Sequence, residues 1–221
     1  MSLSIIMPML NEADSLPETL RELCHYDASA ELILVDGGST DDSVALAHQA
    51  GVRVLPAPAG RARQMNAGAA AAVGEHLLFL HADTRLPPDA DRLIAEALTG
   101  HDWGRFDVTI TGRHPMLAAI AFMMNLRSRL TGIATGDQAI FVCRSSFEAV
   151  GGFPDQPLME DIELSKRLKR LGPPACLQHK VTTSGRRWEQ KGLWRTILLM
   201  WRLRFAYWRG ASPEQLARAY R

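Results

Sequence analysis

Four short apolar runs, each followed by an amphipathic or turn-rich stretch, fill the first eighty residues, and this rhythm constrains the fold more than any other feature. Leu3 to Met7, Glu31 to Val35, Val52 to Leu55 and His76 to Leu80 read as strands. Glu12 to Leu23, Asp41 to Ala50 and the alanine-rich Arg61 to Val73 read as helices, the second capped by Ser39, Thr40 or Asp41. Strand–helix alternation of this kind predicts an α/β fold, with a mostly parallel central sheet and helices on both faces. After Ala82 the rhythm loosens. Helices are expected at Pro88–Leu98, Met116–Leu130 and Met159–Leu171, the last stopped by Gly172-Pro173-Pro174. Strands are expected at Phe106–Thr111, Ala139–Arg144 and Leu177–Thr183, and C-terminal helices at Gly192–Trp208 and Pro213–Tyr220. Repeats, low-complexity tracts and linkers are absent from the sequence, so 1–221 reads as one domain.

Composition removes several classes. A formal net charge of +1 gives no electrostatic case for nucleic acid. Cys24, Cys143 and Cys176 lie far apart and none sits in a CxxC pair, which predicts neither a zinc knuckle nor a disulfide framework and fits a reducing compartment. The opening MSLSIIMP lacks a basic n-region, and Pro8 cuts its apolar run, so it does not read as a signal peptide. The longest uninterrupted apolar stretch, Met116 to Met124, is well short of the ~20 residues a membrane span needs. A cytoplasmic location is the resulting expectation, and the sequence says nothing of oligomeric state.

Ligands of open α/β sheets bind beyond the carboxyl ends of the strands, and three such places carry carboxylates. Asp36 closes a strand and is followed by Gly37-Gly38-Ser39-Thr40-Asp41. It can accept hydrogen bonds from a nucleobase or ribose, or simply form a tight turn with a helix cap; GxGxxG spacing is missing, which counts against a dinucleotide-binding dehydrogenase. Asp83, after Leu80-His81-Ala82, offers a hard oxygen for Mg²⁺ or Mn²⁺ beside a diphosphate, or else caps the next helix. Glu160, Asp161 and Glu163 open a helix whose dipole stabilises them, and one of them can serve as a general base.

The order of these segments resembles the family 2 glycosyltransferases of the GT-A fold. Ser4 to Glu12 (SIIMPMLNE) is similar to that family's opening SIIIPxxNE, and Val35 to Asp41 to its VDxGSxD. His81-Ala82-Asp83 stands where the family has DxD; Val150-Gly151-Gly152-Phe153 followed by Glu160-Asp161 and Leu164 resembles VGGF…EDxxL, and Ser184 to Trp188 its later RRW segment. More narrowly, GRARQMNAGA, TGDQAIF and TSGRRW resemble a compact bacterial subfamily associated with arsenosugar biosynthesis.

The resemblance implies a metal-dependent inverting transfer from a nucleotide sugar, with a UDP-sugar as the favoured donor, to a small-molecule or lipid-linked acceptor hydroxyl. It implies a nucleotide-sugar half (1–100), an acceptor and catalytic half (101–190) and C-terminal helices (191–221). Asp36 is implied to contact uracil or ribose, and Pro8, Asn11, Glu12 and Gly38 to line the donor site with it. Asp83 is implied at the metal and diphosphate, Asp161 as the base, and Glu160 with Gly136, Asp137 and Gln138 on the acceptor side. The Gly136–Gln138 segment reads equally as an ordinary turn. His81 replaces the first aspartate of DxD; Mg²⁺ prefers oxygen, so no direct metal bond is expected from it. His179 reads as structural.

Gly60-Arg61-Ala62-Arg63 puts two cations at a helix start, suited to a donor phosphate, with solvent-facing arginine as the alternative. Arg186, Arg187 and Trp188 are expected to close over the diphosphate from the other side, with arginine stacked on tryptophan in a structural role as the alternative. Trp194-Arg195, Trp201-Arg202 and Trp208-Arg209 recur every seven residues, and Lys191 extends the basic stripe. The favoured arrangement has these tryptophans packed on the domain and the arginines in water. The alternatives are peripheral contact with an anionic membrane and a partner enzyme.

Two other function classes compete. A nucleotidyltransferase wants a glycine-rich basic loop after the first strand, where this chain has Pro8 to Glu12. A non-catalytic nucleotide-binding or membrane-peripheral protein needs neither metal ligand nor base, and Asp36, Asp83 and Asp161 together argue against it.

Overall fold

The computed structural model of the protein describes residues 2–23 and 30–220; Cys24 lies outside the described residues, as does the side chain of Arg187. One eight-stranded sheet runs through it, with β1 (Leu3–Met9), β2 (Glu31–Asp36), β3 (Arg53–Pro56), β4 (His76–Phe79), β5 (Thr84–Arg85), β6 (Trp103–Thr111), β7 (Ile140–Cys143) and β8 (Ala175–Ser184) in the order β3-β2-β1-β4-β7-β6-β8-β5. The β3-β2-β1-β4 half is parallel throughout, as the strand–helix alternation predicts. β6 and β8 are also parallel, whereas β7 runs antiparallel to both β4 and β6, and β5 antiparallel to β8. β7 starts from a loop at the edge where β4 ends, so it can only run back the other way.

Period-two alternation sends the side chains of β1 to two cores. Leu3, Ile5, Met7 and Met9 enter one cluster with α1 (Leu16–Leu23), α4 (Ala90–Ala97) and α5 (Met116–Thr131). Ile6 enters the other, with α3 (Arg61–Ala71), α6 (Arg144–Ala149) and α7 (Glu160–Leu168). The small helix α2 (Ser43–Gln49) completes the first layer through Ala47. Asn125 of α5 fixes that helix to the sheet by accepting from the backbone of Val108 and donating back to it, at 2.9 and 3.0 Å.

The sheet hides charge as well. Arg105 on β6 is fully buried, and its guanidinium pairs with Asp107, which also takes Arg129 of α5 at 2.5 Å. This triad sits where the β6–β8 register shifts between Phe106 and Asp107. Leu177 stands opposite Phe106 and Lys180 opposite Asp107, so Gln178 and His179 bulge out into solvent.

The chain then forms α8 (Arg186–Lys191), α9 (Leu193–Trp208) and α10 (Pro213–Tyr220). Leu203 of α9 and Leu216 of α10 pack on Met159 and Ile162 at the start of α7. Among the described residues no helix is long and apolar enough to cross a membrane.

Several expected boundaries move. The first helix starts at Leu16 rather than Glu12, because Asn11 is left-handed (φ 56°) and the N–H of Glu12 is taken by Ser43 Oγ at 2.8 Å. The fourth starts at Ala90 rather than Pro88, behind a left-handed Asp89. β5, α6 and α8 have no counterpart in the sequence reading: all are short, and short elements carry too few residues for a periodic signal.

Candidate active site

The parallel strands end side by side. Met9 pairs with Asp36 and Ile6 with Phe79, so the loops after β1, β2 and β4 leave the sheet at one edge. Buried Gln64 of α3 ties two of these ends together, donating from Nε2 to the carbonyls of Met9 and Val35, each at 2.8 Å. Beyond this edge lies a cleft of about 510 Å³. Its wall includes Pro8 and Glu12 after β1, His81 and Asp83 after β4, Arg61 at the start of α3, Gly136 and Asp137 before β7, and Glu160 and Asp161 at the start of α7. A larger depression of about 820 Å³ between α1 and β5 contains none of the candidate residues, and its Arg85 and Glu22 are paired with each other at 3.1 Å.

Beside the cleft the β1 and β2 loops are stitched together. Asn11 Oδ1 accepts the Thr40 N–H at 2.8 Å, and the Asn11 N–H donates to Ser39 Oγ at 2.9 Å. Asp36 accepts the N–H groups of Gly38 and Ser39 at 3.0 and 3.1 Å, across a turn in which Gly38 has φ 97°. Those two backbone donors leave acceptor capacity on a carboxylate with about four lone-pair sites. Asn11, Asp36 and Gly38 thus form a shelf adjoining the cleft rather than its wall.

Another wall of the cleft is built around the first turn of α7, entered through Met159 in a left-handed conformation (φ 66°). Asp161 Oδ2 accepts the Gly136 N–H at 3.0 Å, and Ser165 Oγ accepts the Ala134 N–H at 3.1 Å, so the loop before β7 is fastened to α7. Glu160 is buried, and its carboxylate meets Arg61 at 3.4 Å. Burial and the adjacent Asp161 charge push the Glu160 carboxyl above its ordinary value, with Arg61 opposing them. His81 Nδ1 faces Asp137 at 3.4 Å. Its Nε2 is buried without a hydrogen-bond partner among the described residues, against Gly136, where a Cβ would come within 2.4 Å.

Asp83 is exposed at the end of β4, and no group of three His, Cys, Asp or Glu side chains converges among the described residues. A single accessible carboxylate beside an open cleft fits a hard cation that draws its other oxygens from phosphate and water, which is how Mg²⁺ is usually held. His81 is turned toward Asp137 and Gly136. His179, in the β8 bulge, is exposed and outside the cleft wall.

Four expectations change. Arg63 lies outside the cleft wall and pairs with exposed Asp155 at 2.7 Å. Gln138 is fully buried in the short 3-10 turn Gly136–Gln138; its Oε1 accepts the Thr135 N–H at 3.2 Å and its Nε2 meets Asn125, so it shapes the loop rather than facing an acceptor. Trp194, Trp201 and Trp208 do not pack on the domain: all are exposed. Arg186 is also exposed and outside the wall, while its neighbour Trp188 lines it. The Arg187 side chain lies outside the described residues.

The sequence reading missed a second set of cations. Arg204 of α9 lines the cleft, together with Thr196, Met200 and Tyr220. Arg127 of α5 lies near enough to feel the charges of Arg204, Asp161 and Asp137. Burial, and then the charge of Arg204, pushes Arg127 down to about 10; burial lowers Arg204 as well. Arg127 Nε and Nη2 are buried without partners among the described residues. A folded value below the unfolded one means that the charged form is disfavoured by folding at every pH below about 10. Arg127→Met should therefore stabilise the protein at neutral pH, by on the order of 1–3 kcal/mol, measured as a rise in Tm of a few degrees; an unchanged or lower Tm contradicts the strain. No motif marks either arginine.

The sequence profile described as Glycosyl transferase family 2 matches residues 4–146. The chain belongs to this family. Among curated proteins it is similar to the undecaprenyl-phosphate 4-deoxy-4-formamido-L-arabinose transferase of Pseudomonas savastanoi pv. phaseolicola (strain 1448A / Race 6), 37% identical over 112 residues, which are 45% of this chain and 33% of the relative. The protein of the same description from Pseudomonas fluorescens (strain Pf0-1) is 34% identical over 157 residues, 61% of this chain and 44% of the relative. The chain thus spans less than half the length of these relatives. Solved structures with the same fold include S. aureus TarS 1-349 in complex with UDP, with a TM-score of 0.67, 18% identity and coverage of 83% of this chain and 60% of that one. Another is glucosyl-3-phosphoglycerate synthase from Mycobacterium tuberculosis with Mn²⁺, UDP and glucosyl-3-phosphoglycerate, with a TM-score of 0.57, 22% identity and coverage of 82% and 70%. The chain therefore shares the fold of these structures, a mostly parallel sheet flanked by helices, within family 2.

Proposed function

We propose that this family 2 transferase moves a sugar from a UDP-type donor to an acceptor hydroxyl, with inversion and with Mg²⁺ or Mn²⁺ at Asp83. The observation that carries this reading is the convergence of Asp83, Asp161 and Arg61 on one cleft at the carboxyl edge of the sheet. Asp36, Asn11 and Gly38 hold the nucleoside on their shelf, and Pro8 and Glu12 continue it into the cleft. Asp161 takes the proton from the acceptor hydroxyl; that oxygen bonds to the anomeric carbon as the bond to the diphosphate breaks and UDP leaves. A bound divalent cation supplies charge neutralisation for the departing diphosphate. Arg61 and the first N–H groups of α3 add positive potential there. Holding base and acceptor in place is the main contribution of the α7–β7 contact.

Two strained cations, Arg127 and Arg204, favour an acceptor that carries an anion near its hydroxyl. The names of the relatives, which are undecaprenyl-phosphate transferases, support a lipid-linked acceptor over a small molecule.

Thermal shift with UDP, GDP, CMP and dTDP, each with and without Mn²⁺, tests the donor site. UDP with Mn²⁺ at about a hundred times its Kd should add about 2.7 kcal/mol, a rise of roughly 5–10 °C for a chain of this size. Asp83→Ala should abolish the metal-dependent part. If no nucleotide moves Tm with or without metal, the donor reading is wrong, and a non-catalytic role for the exposed α9 helix becomes the better account.

A further inference from the structure

α9 is two-faced. Thr196, Met200 and Arg204 line the cleft, and Leu203 is buried between them and the core. The opposite face carries Trp194, Leu198, Trp201, Phe205 and Trp208, at alternating spacings of four and three residues, which line up in one stripe on a helix. These five side chains are 66%, 66%, 70%, 61% and 77% exposed. α5, whose Arg127 lies within electrostatic reach of Arg204, adds exposed Phe122, Met123, Leu126 and Leu130. Soluble monomers rarely leave an apolar stripe like that of α9 in water without a partner for it.

Charge decides which partner. From Lys191 to Pro213 the chain has five basic residues (Lys191, Arg195, Arg202, Arg204, Arg209) and no acidic one. Arg204 turns to the cleft, and by helical spacing Arg195, Arg202 and Arg209 fall on one side of the tryptophan stripe, while Lys191, the last residue of α8, is cut off from that helix by Gly192. α5 carries no acid either, although its Arg129 is held by Asp107 and the Arg127 guanidinium is buried, so the free cations of this face come from α9 and its C-terminal end. A second copy of this chain would set cation against cation across the interface. An anionic lipid surface satisfies both halves of the pattern, with tryptophan rings at the headgroup level and arginine on phosphates.

We propose that the outer face of α9, extended by α5, docks the protein on anionic lipid bilayers, lying in the interface without crossing it. Docking stands on this face alone. Its use, to bring the cleft on the inner side of the same helix down to an acceptor embedded in the membrane, rests on the transferase reading above.

The test is co-sedimentation of the full chain with vesicles of phosphatidylcholine alone and with phosphatidylglycerol added, together with tryptophan emission. Binding to the anionic vesicles with a blue shift is expected, and weak binding to the neutral ones. The triple variant Arg195→Glu, Arg202→Glu, Arg209→Glu should weaken anionic binding by about a hundredfold or more. Trp201→Ser with Phe205→Ser and Trp208→Ser should remove the blue shift. None of these six residues lines the cleft, so both variants should keep the UDP-dependent thermal shift, which also shows them folded. Equal affinity for neutral and anionic vesicles, or self-association with no vesicle binding, overturns the proposal. No vesicle binding by the unaltered chain with its UDP shift intact sinks docking alone; vesicle binding by the unaltered chain without any UDP shift sinks the transferase reading alone.

Discussion

Asp161→Asn should lower kcat by roughly 10²–10⁴-fold while leaving UDP binding close to wild type. Asparagine matches aspartate in shape, and its side-chain oxygen can still accept the Gly136 N–H that holds the loop before β7, at 3.0 Å in the native protein. What it cannot do is take a proton from an acceptor hydroxyl. The expected signature is therefore a fall in turnover with little change in KM for the donor, in Tm or in the UDP-dependent thermal shift. UDP release in the presence of acceptor measures the first, and calorimetry the rest. Turnover within a few fold of wild type would remove Asp161 as the base and direct attention to Glu160, its buried neighbour. Loss of both turnover and Tm would instead mean that the α7–β7 contact had failed, and Ser165→Ala would then separate the roles, since it removes the bond to the Ala134 N–H and keeps the Asp161 carboxylate.

The second large effect lies away from the cleft. Asp107→Leu should destabilise the fold by about 3–5 kcal/mol, a drop in Tm of roughly 10 °C or more. Arg105 is fully exposed to no solvent at all, with 0% of its surface accessible, and Asp107 is its charged partner. Its remaining contacts are weak: Nη2 reaches the Asn125 carbonyl at 3.4 Å, and Nε has no partner among the described residues. Removing Asp107 leaves that guanidinium charged in a low-dielectric interior and frees Arg129 from the β6 surface. The double change Arg105→Met with Asp107→Leu should recover most of the loss, because the cost comes from an uncompensated charge and not from the missing pair. Urea unfolding of the three proteins measures this cycle. A loss below about 1 kcal/mol in the single variant would show that water reaches Arg105 and that the triad matters little.

How much of the site was legible in the sequence depends on how local its geometry is. Asp36, Asp83 and Asp161 follow strands or open a helix, and their motifs place them at one edge of the sheet because every parallel strand ends there. Gln138 sits in as polar a segment as Asp137, yet one side chain is buried in its own turn and the other lines the cleft. A 3-10 turn of three residues decides that, and no periodic pattern announces it. Arg63 looked as suitable as Arg61, but two residues along a helix turn a side chain most of the way to the opposite face. Arg61 therefore meets Glu160 while Arg63 meets Asp155.

The tryptophan helix makes the same point in reverse. Its heptad stripe is plain in the sequence, and amphipathic stripes usually face the core. Here both faces of α9 are apolar enough to be buried, and the sequence has no means of choosing between them. The choice falls to α7 and α10, whose Ile162 and Leu216 offer a surface that Leu203 fits, so the tryptophans turn outward.

By itself, then, the sequence determined the strand–helix rhythm, the parallel half of the sheet, the family and the three carboxylates at the strand ends, because each depends on neighbours within a few residues along the chain. The tertiary structure alone decided the antiparallel return of β7, the buried Arg105–Asp107–Arg129 triad, the entry of Arg204 into the cleft and the outward face of α9. Each of these joins segments far apart in the chain, and burial and charge pairing between such segments leave no periodic trace in either one.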